Sequence, residues 1–308
     1  MDKSDCVFVA GHRGLVGSAV VRHLRKEGFT NLLLADRAAL DLTDQAAVAS
    51  FFSRHKPAYV FMCAAKVGGI HANSTFPADF IRENLQLQTN IIHSAWANGA
   101  TKLLFLGSSC IYPRECPQPM KESHLLSGPL EPTNEPYAIA KIAGLKMCQA
   151  YRNQYGFDAI SAMPTNLYGP GDNYHPENSH VVAALIRRIE AARTQGLASV
   201  TIWGTGQPLR EFLFVDDLAE ALVFLMQGYS STTPINIGSG QELSIAELAR
   251  QVADALGYQG RIEFDPSRPD GVKRKRLDTS QMDGLGWRAR TPLEKGLASA
   301  IADFRRSN

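Results

Sequence analysis

The chain has 308 residues, of which 32 are basic and 30 acidic, for a formal charge of +2. A chain of this length buries a large core without disulfides or metals, and so even a charge balance directs no field at nucleic acid or a membrane surface. Five cysteines, at positions 6, 63, 110, 116 and 148, show no metal-ligand spacing and, being odd in number, no disulfide framework; a reducing cytoplasm is the expected location. Charged Asp2, Lys3 and Asp5 precede the first apolar run and leave no room for a signal peptide, and no apolar stretch approaches the ~20 residues a membrane span needs.

In chain order, residues 6–10 read as a short strand, the glycines after them as a tight turn, and residues 15–27 as an amphipathic helix. Strands are predicted at 32–34, 59–65 and 103–107, with helices at 44–54 and 79–98 between them. This alternation predicts an α/β fold whose parallel sheet is covered on both faces. Past Met163, the residues Pro164, Gly169, Pro170, Gly171 and Pro176 predict a long ordered loop into a second region. Helices at 180–192, 216–226 and 244–256 would there cap the strand ends of the first. The predicted division is 1–165, receiving returning segments near 210–230, and 166–308. The basic run Lys273-Arg274-Lys275-Arg276 reads as a solvated loop rather than a nucleic-acid footprint.

Gly11, Gly14 and Gly17 follow the first predicted strand and open the first predicted helix. Glycine lets backbone N–H groups approach a pyrophosphate, whose charge a helix N-terminus favours; the alternative is an ordinary strand-to-helix turn. Asp36, just past the second strand, is placed to accept from a ribose 2′-OH and would repel a 2′-phosphate. Arg13 and Arg37 would instead pair with that phosphate. Two cations against one carboxylate favour NADP, with Asp36 turned to solvent. Asp41 and Leu42 fall near the adenine, and Ala64, Ala65 and Lys66 where the dinucleotide would pass, unless they are plain loop ends.

Tyr137 and Lys141 stand one turn apart on one face of a helix. An ammonium beside a phenol favours the phenolate, so Tyr137 is expected to exchange a proton with a carbonyl oxygen at neutral pH. Ser108, at the end of a strand, sits where open α/β sheets present catalytic groups and would hydrogen-bond the same oxygen.

On these residues the chain resembles the extended short-chain dehydrogenases/reductases nearly end to end. The most specific stretches are Gly11-His12-Arg13-Gly14, Ala64-Ala65-Lys66-Val67-Gly68-Gly69-Ile70, Leu106-Gly107-Ser108-Ser109-Cys110-Ile111-Tyr112-Pro113 and Glu131-Pro132-Thr133-Asn134-Glu135-Pro136-Tyr137-Ala138-Ile139-Ala140-Lys141. Further matches are Met163-Pro164-Thr165-Asn166-Leu167-Tyr168-Gly169-Pro170, Asn178-Ser179-His180, Trp203-Gly204 and Arg210-Glu211-Phe212. Ala35-Asp36-Arg37 matches least.

The resemblance implies a Rossmann-like doubly wound parallel sheet with a smaller α/β substrate-binding C-terminal region. It further implies NADP(H), a GDP-sugar substrate, no metal, and a homodimer formed through residues 79–98 and 137–154. The implied activity is epimerisation of GDP-4-keto-6-deoxymannose at C3 and C5, followed by hydride transfer from NADPH to C4. Implied cofactor contacts are Gly11, Arg13, Gly14, Leu15, Val16, Gly17, Asp36, Arg37, Asp41, Leu42, Ala64, Ala65, Leu106, Gly107, Tyr137, Lys141, Pro164, Asn166, Leu167 and His180. Cys110 is implied as the base and His180 as the acid, alongside Ser108, Tyr137 and Lys141. From its residues alone Cys110 is either a thiolate beside cations or a small buried hydrophobe, and His180 otherwise a helix-start histidine. Cys6, Cys63 and Cys148 read as core. Substrate contacts are implied at Ser108, Ser109, Arg188 or its neighbour Arg187, Trp203, Arg210 and Asp270. Rival readings are a nucleotide-sugar 4-epimerase or 4,6-dehydratase, which the Cys110 and His180 pair argues against, and an inert NADP-sensing module, which has no need of Ser108, Tyr137 and Lys141 together.

Overall fold

The first half runs β1 (Val7–Ala10), α1 (Leu15–Lys26), β2 (Leu32–Leu33), α2 (Gln45–His55), β3 (Tyr59–Met62), α3 (Ile70–Thr75), α4 (Pro77–Ala97), β4 (Lys102–Leu106), α5 (Glu135–Tyr155) and β5 (Asp158–Pro164) in a computed structural model that describes residues 1–176, 179–268 and 270–307. The second half adds β6 (Asn166–Tyr168), α6 (Val181–Thr194), β7 (Ser199–Trp203), β8 (Leu209–Phe214), α7 (Val215–Gly228), β9 (Ile235–Ile237), β10 (Glu242–Ser244), α8 (Ile245–Leu256), β11 (Arg261–Asp265), β12 (Arg274–Lys275), α9 (Ser280–Gly284) and α10 (Leu293–Ser307).

Strands apolar at nearly every position must be covered on both faces. Accordingly β1, β3 and β4 sit inside a six-stranded parallel sheet of order β2-β1-β3-β4-β5-β9. One face packs on α1 and α7 through Val20, Leu24, Leu218 and Leu222, and the other on α2, α4 and α5 through Phe52, Ile91 and Leu145. A third cluster joins α6, α8 and α10 to β7 and β8 through Ile186, Leu248, Leu297 and Phe212. Helix starts follow local chemistry. Asp44 accepts from Ala47 N at 3.0 Å to cap α2, and Ser244 with Glu247 forms a reciprocal capping box on α8.

The chain leaves β1 toward β2 on one side and crosses to β3 on the other. The order therefore reverses at the β1/β3 crevice, where open α/β sheets bind ligands outside their carboxyl ends. Two expectations need correction. The predicted loop past Met163 contains β6, paired parallel with β8. The basic run is not a solvated loop either: Arg274 and Lys275 form β12, parallel to Leu209 and Arg210 of β8, because Glu242 and buried Glu211 supply acceptors that periodicity could not reveal. Among the described residues no helix is long and apolar enough to cross a membrane.

Candidate active site

A cleft of about 980 Å³ opens at the carboxyl ends of the sheet. At one end, Gly11 has φ +81°, and a Cβ there would lie 2.8 Å from the Ala64 backbone; a Cβ on Gly17 would lie 2.1 Å from the Gly11 carbonyl oxygen. Only glycine lets the loop, β3 and α1 approach this closely. The N-terminus of α1 has no side-chain cap and no acidic residue in its first turn, and His12 Nδ1 is buried without a partner. This cradle fits a pyrophosphate, which helix-end N–H groups bind well. Leu15, Val16, Leu106, Gly107, Pro164, Asn166 and Leu167 also line the cleft.

Asp36 does not turn to solvent as expected. Its carboxylate pairs with Arg13 at 2.7 Å and accepts from Ala39 N at 3.0 Å, while Arg37 is exposed as Arg13 is, with no salt bridge among the described residues. Asp41 is committed to a turn, accepting from Thr43 N at 2.9 Å and Thr43 Oγ1 at 2.8 Å, while the Leu42 carbonyl accepts from Asn90 at 3.0 Å. Lys66 is held by Glu83 at 2.7 Å, and buried Asn84 bonds both its N–H and its carbonyl, so the loop after β3 is rigid at its root. Asn166 donates to the Glu211 carbonyl at 2.8 Å.

At the other end of the cleft Ser108, in extended conformation, caps a short 3₁₀ turn, its Oγ accepting from Cys110 N at 3.2 Å. Lys141 is 3% exposed and donates to the Leu106 carbonyl at 2.8 Å, and burial lowers its pKa to about 8. Its ammonium lies 6.0 Å from the centroid of the Tyr137 ring. The expected depression of the Tyr137 phenol is absent. Burial pushes the phenol well above its ordinary value and the nearby Cys110 adds to the rise, against a smaller opposing effect of the Ser108 hydroxyl. Tyr137 is therefore a neutral hydrogen-bond donor, the form that can give a proton to a carbonyl oxygen.

Cys110 is half-buried, and Lys275 donates to its Sγ at 3.2 Å. Burial raises the thiol, but Lys275, Ser108 and Arg210 together bring it below its ordinary value. His180 is the N-cap residue of α6; it reaches the open cleft, yet crowding by the walls and then Lys275 lower its pKa. Asn178, matched in the same stretch, lies outside the described residues. Cys148 is buried as expected, whereas Cys63 is half-buried and lines the cleft beside Lys141.

The expected substrate contacts divide. Arg210 lines the same cleft, and Ser109 borders it at only 3% exposure. Arg187 and Arg188 line a neighbouring cavity of about 540 Å³. Trp203, 50% exposed, is flanked by the guanidinium groups of Arg188 at 5.1 Å and Arg268 at 4.9 Å. Both oxygens of Asp270 accept from Thr205, at 2.7 Å each, which fixes the turn after Trp203. Sequence reasoning missed Lys275, Arg268 and Asp172, a cleft carboxyl that burial raises to about 7. Lys275 stood in a run read as a solvated loop, and the other two carried no motif.

A parallel sheet reversing at a glycine-lined crevice, with serine, tyrosine and lysine gathered at the neighbouring strand ends, is a dinucleotide-dependent enzyme architecture. The chain belongs to the NAD dependent epimerase/dehydratase family, whose model matches residues 7–238. It is 62% identical over 297 residues to GDP-L-fucose synthase 1 of Arabidopsis thaliana, covering 96% of this chain and 92% of that protein. Among solved structures it is similar to a GDP-6-OMe-4-keto-L-xylo-heptose reductase from C. jejuni, with TM-score 0.96, 37% identity and coverage of 100% of this chain and 99% of that one. It is also similar to a GDP-L-fucose synthetase from Naegleria fowleri bound to NADP, with TM-score 0.92, 28% identity and coverage of 100% and 96%.

Proposed function

We propose that the protein converts GDP-4-keto-6-deoxy-D-mannose to GDP-L-fucose, epimerising C3 and C5 and then reducing C4 with NADPH. The observation that carries this reading is the opening of Cys110 and His180 onto the same cleft as Ser108, Tyr137 and Lys141. The names of the relatives agree with it.

Protons on carbons beside a ketone are acidic because the enolate spreads charge onto oxygen, where donors stabilise it. Tyr137 and Ser108 supply those donors. Cys110, as thiolate, removes a proton from C3 or C5, and His180 returns one to the opposite face. NADPH, when bound, supplies the hydride for C4. Tyr137 then protonates the C4 oxygen, and Lys141 holds the end of β4 through the Leu106 carbonyl. Gly11, Gly14 and Gly17 would seat the pyrophosphate and Arg37 the 2′-phosphate, while Arg210 and Arg188 suit the sugar diphosphate because a guanidinium fork matches phosphate oxygens.

The same reading assigns cofactor binding to residues 1–165 and substrate binding to 166–308, and places the enzyme in the cytoplasm. It also assigns a homodimer through α4 and α5, whose Trp96 and Tyr155 stack at 4.2 Å with Tyr155 46% exposed. Light scattering on the purified chain tests the dimer.

The deciding experiment mixes the purified protein, NADPH and GDP-4-keto-6-deoxymannose. One NADPH should be oxidised per GDP-L-fucose formed, followed by absorbance and by NMR of the sugar. Accumulation of the epimerised keto sugar with no NADPH oxidised would remove the reductase half of this assignment.

A further inference from the structure

We infer that Lys275 is a positioning residue for proton transfer: from the edge of the C-terminal sheet its ammonium holds the Cys110 sulfur as a thiolate and presents positive charge to His180. The inference rests on the reading of Cys110 as base and His180 as acid.

The geometry comes from β12. That strand runs parallel to β8 with Lys275 opposite Arg210, so two cations reach the cleft side by side from adjacent strands. Lysine has a flexible stem, and its aim depends on how firmly the backbone beneath is held. Here both flanks are tied. Before it, Arg274 makes a forked pair with Glu242 at 2.9 and 2.5 Å. After it, the Arg276 N–H donates to Gln118 at 2.9 Å and the Leu277 N–H to Glu211 at 2.9 Å. Glu211 is fully buried and also accepts from Gly240 N at 2.7 Å, so its two oxygens brace the segment against the loop after β9. Among the described residues Lys275 forms no ion pair with a carboxylate; its recorded partner is sulfur, at 3.2 Å.

The groups that act on Cys110 are Lys275 from β12, Arg210 from β8, Ser108 from its own loop and Tyr137 from α5. His180, at the start of α6, lines the same cleft as Lys275, whose charge adds to the lowering that burial gives the imidazole. A cation near both groups favours the thiolate and disfavours the imidazolium, so both titrations move down together. The consequence for proton transfer is direct. The thiolate takes a proton from carbon and becomes a thiol, and His180, in its protonated form, gives its proton to the other face and becomes neutral; an excess proton on sulfur and a deficit on imidazole are then made good through solvent. Lys275 itself exchanges no proton in this sequence.

The test reads the thiol directly. Iodoacetamide alkylation of Cys110 in the full-length protein is followed by peptide mass spectrometry as a function of pH. In the wild type the rate should rise with a midpoint below that of an ordinary thiol. Lys275→Met should slow alkylation about tenfold at pH 7, and Lys275→Arg should restore most of the rate. The pH profile of solvent-deuterium uptake at C3 and C5 should move upward in Lys275→Met, a change that mere loss of packing would not produce. NADPH titration of each variant checks folding. If Lys275→Met does not fold, the wild-type midpoint and Lys275→Arg decide. An ordinary or raised wild-type midpoint, or wild-type alkylation in Lys275→Met, overturns the inference. A Cys110→Ser variant that retains full deuterium uptake overturns the base assignment, and with it the role of Lys275 in proton transfer, even where the alkylation data show the two side chains in contact.

Discussion

The two ends of the cleft handle positive charge in opposite ways. At the glycine-loop end Arg13 is 76% exposed and already answered by Asp36 at 2.7 Å. At the other end Lys275 meets a sulfur at 3.2 Å, and Arg210 donates to the carbonyls of Leu209 and Asp270. An exposed ion pair is screened by water and contributes little, whereas a cation partly withdrawn from water beside a titratable group changes that group's protonation. On the proposed function, charge at the first end bears on which cofactor is accepted, and charge at the second on the proton transfers.

Substitutions can break this contrast. The largest effect is expected from Tyr137→Phe, which removes the neutral donor: NADPH oxidation in the presence of the keto sugar should fall on the order of 10³-fold while NADPH binding, read by fluorescence, persists. A loss below tenfold would give the proton to another group. Cys110→Ser should slow deuterium uptake at C3 and C5 by about 10²-fold, again with NADPH binding intact; unchanged uptake would remove Cys110 from the mechanism.

Away from both ends, Glu190 is 8% exposed and grips Arg193 and Arg305, each at 2.7 Å, joining α10 to α6. Hydrogen bonds from the two arginines hold its pKa at about 2, below the ordinary carboxylate value. The stabilisation, on the order of 1–3 kcal/mol, is present above that ordinary value and lost as pH falls toward about 2. Glu190→Gln should lower the melting temperature at pH 7 by about 2–6 °C and shrink the gap to the wild type in acid, as differential scanning calorimetry would show. A gap unchanged between neutral and acid pH would deny the linkage. The smallest effect belongs to Asp36→Asn: with Arg13 released, NADPH should bind about two- to fivefold more tightly relative to NADH, since exposed pairs are weak. Weaker NADPH binding would mean that Asp36 positions Arg13 rather than competing for it.

Much of the sheet was legible because its signals are local. Unbroken apolar runs and intervening helical periods placed β1, β3, β4 and their helices within a few residues, and the Gly11 loop stood where a strand meets a helix. Gly11, Ser108, Tyr137 and Lys141 could be named for the same reason: each sits at a strand end or on one helix face. Lys275 could not, since a tetrad of basic residues looks the same whether water or a thiol 165 positions away receives it. What the carboxylates of Asp36 and Asp270 bind was equally illegible, since it depended on Arg13 and Thr205.

By itself, the order of amino acids determined which segments become strands and helices, where the glycine loop must fall, and which side chains are chemically able to exchange protons. Tertiary structure alone decided their states: that the Tyr137 phenol stays protonated, that Lys141 turns to the Leu106 carbonyl, and that Cys110 finds a cation. The physical reason is that secondary structure follows from neighbours a few residues apart, while burial and electrostatic environment are sums over groups the fold brings together from distant parts of the chain.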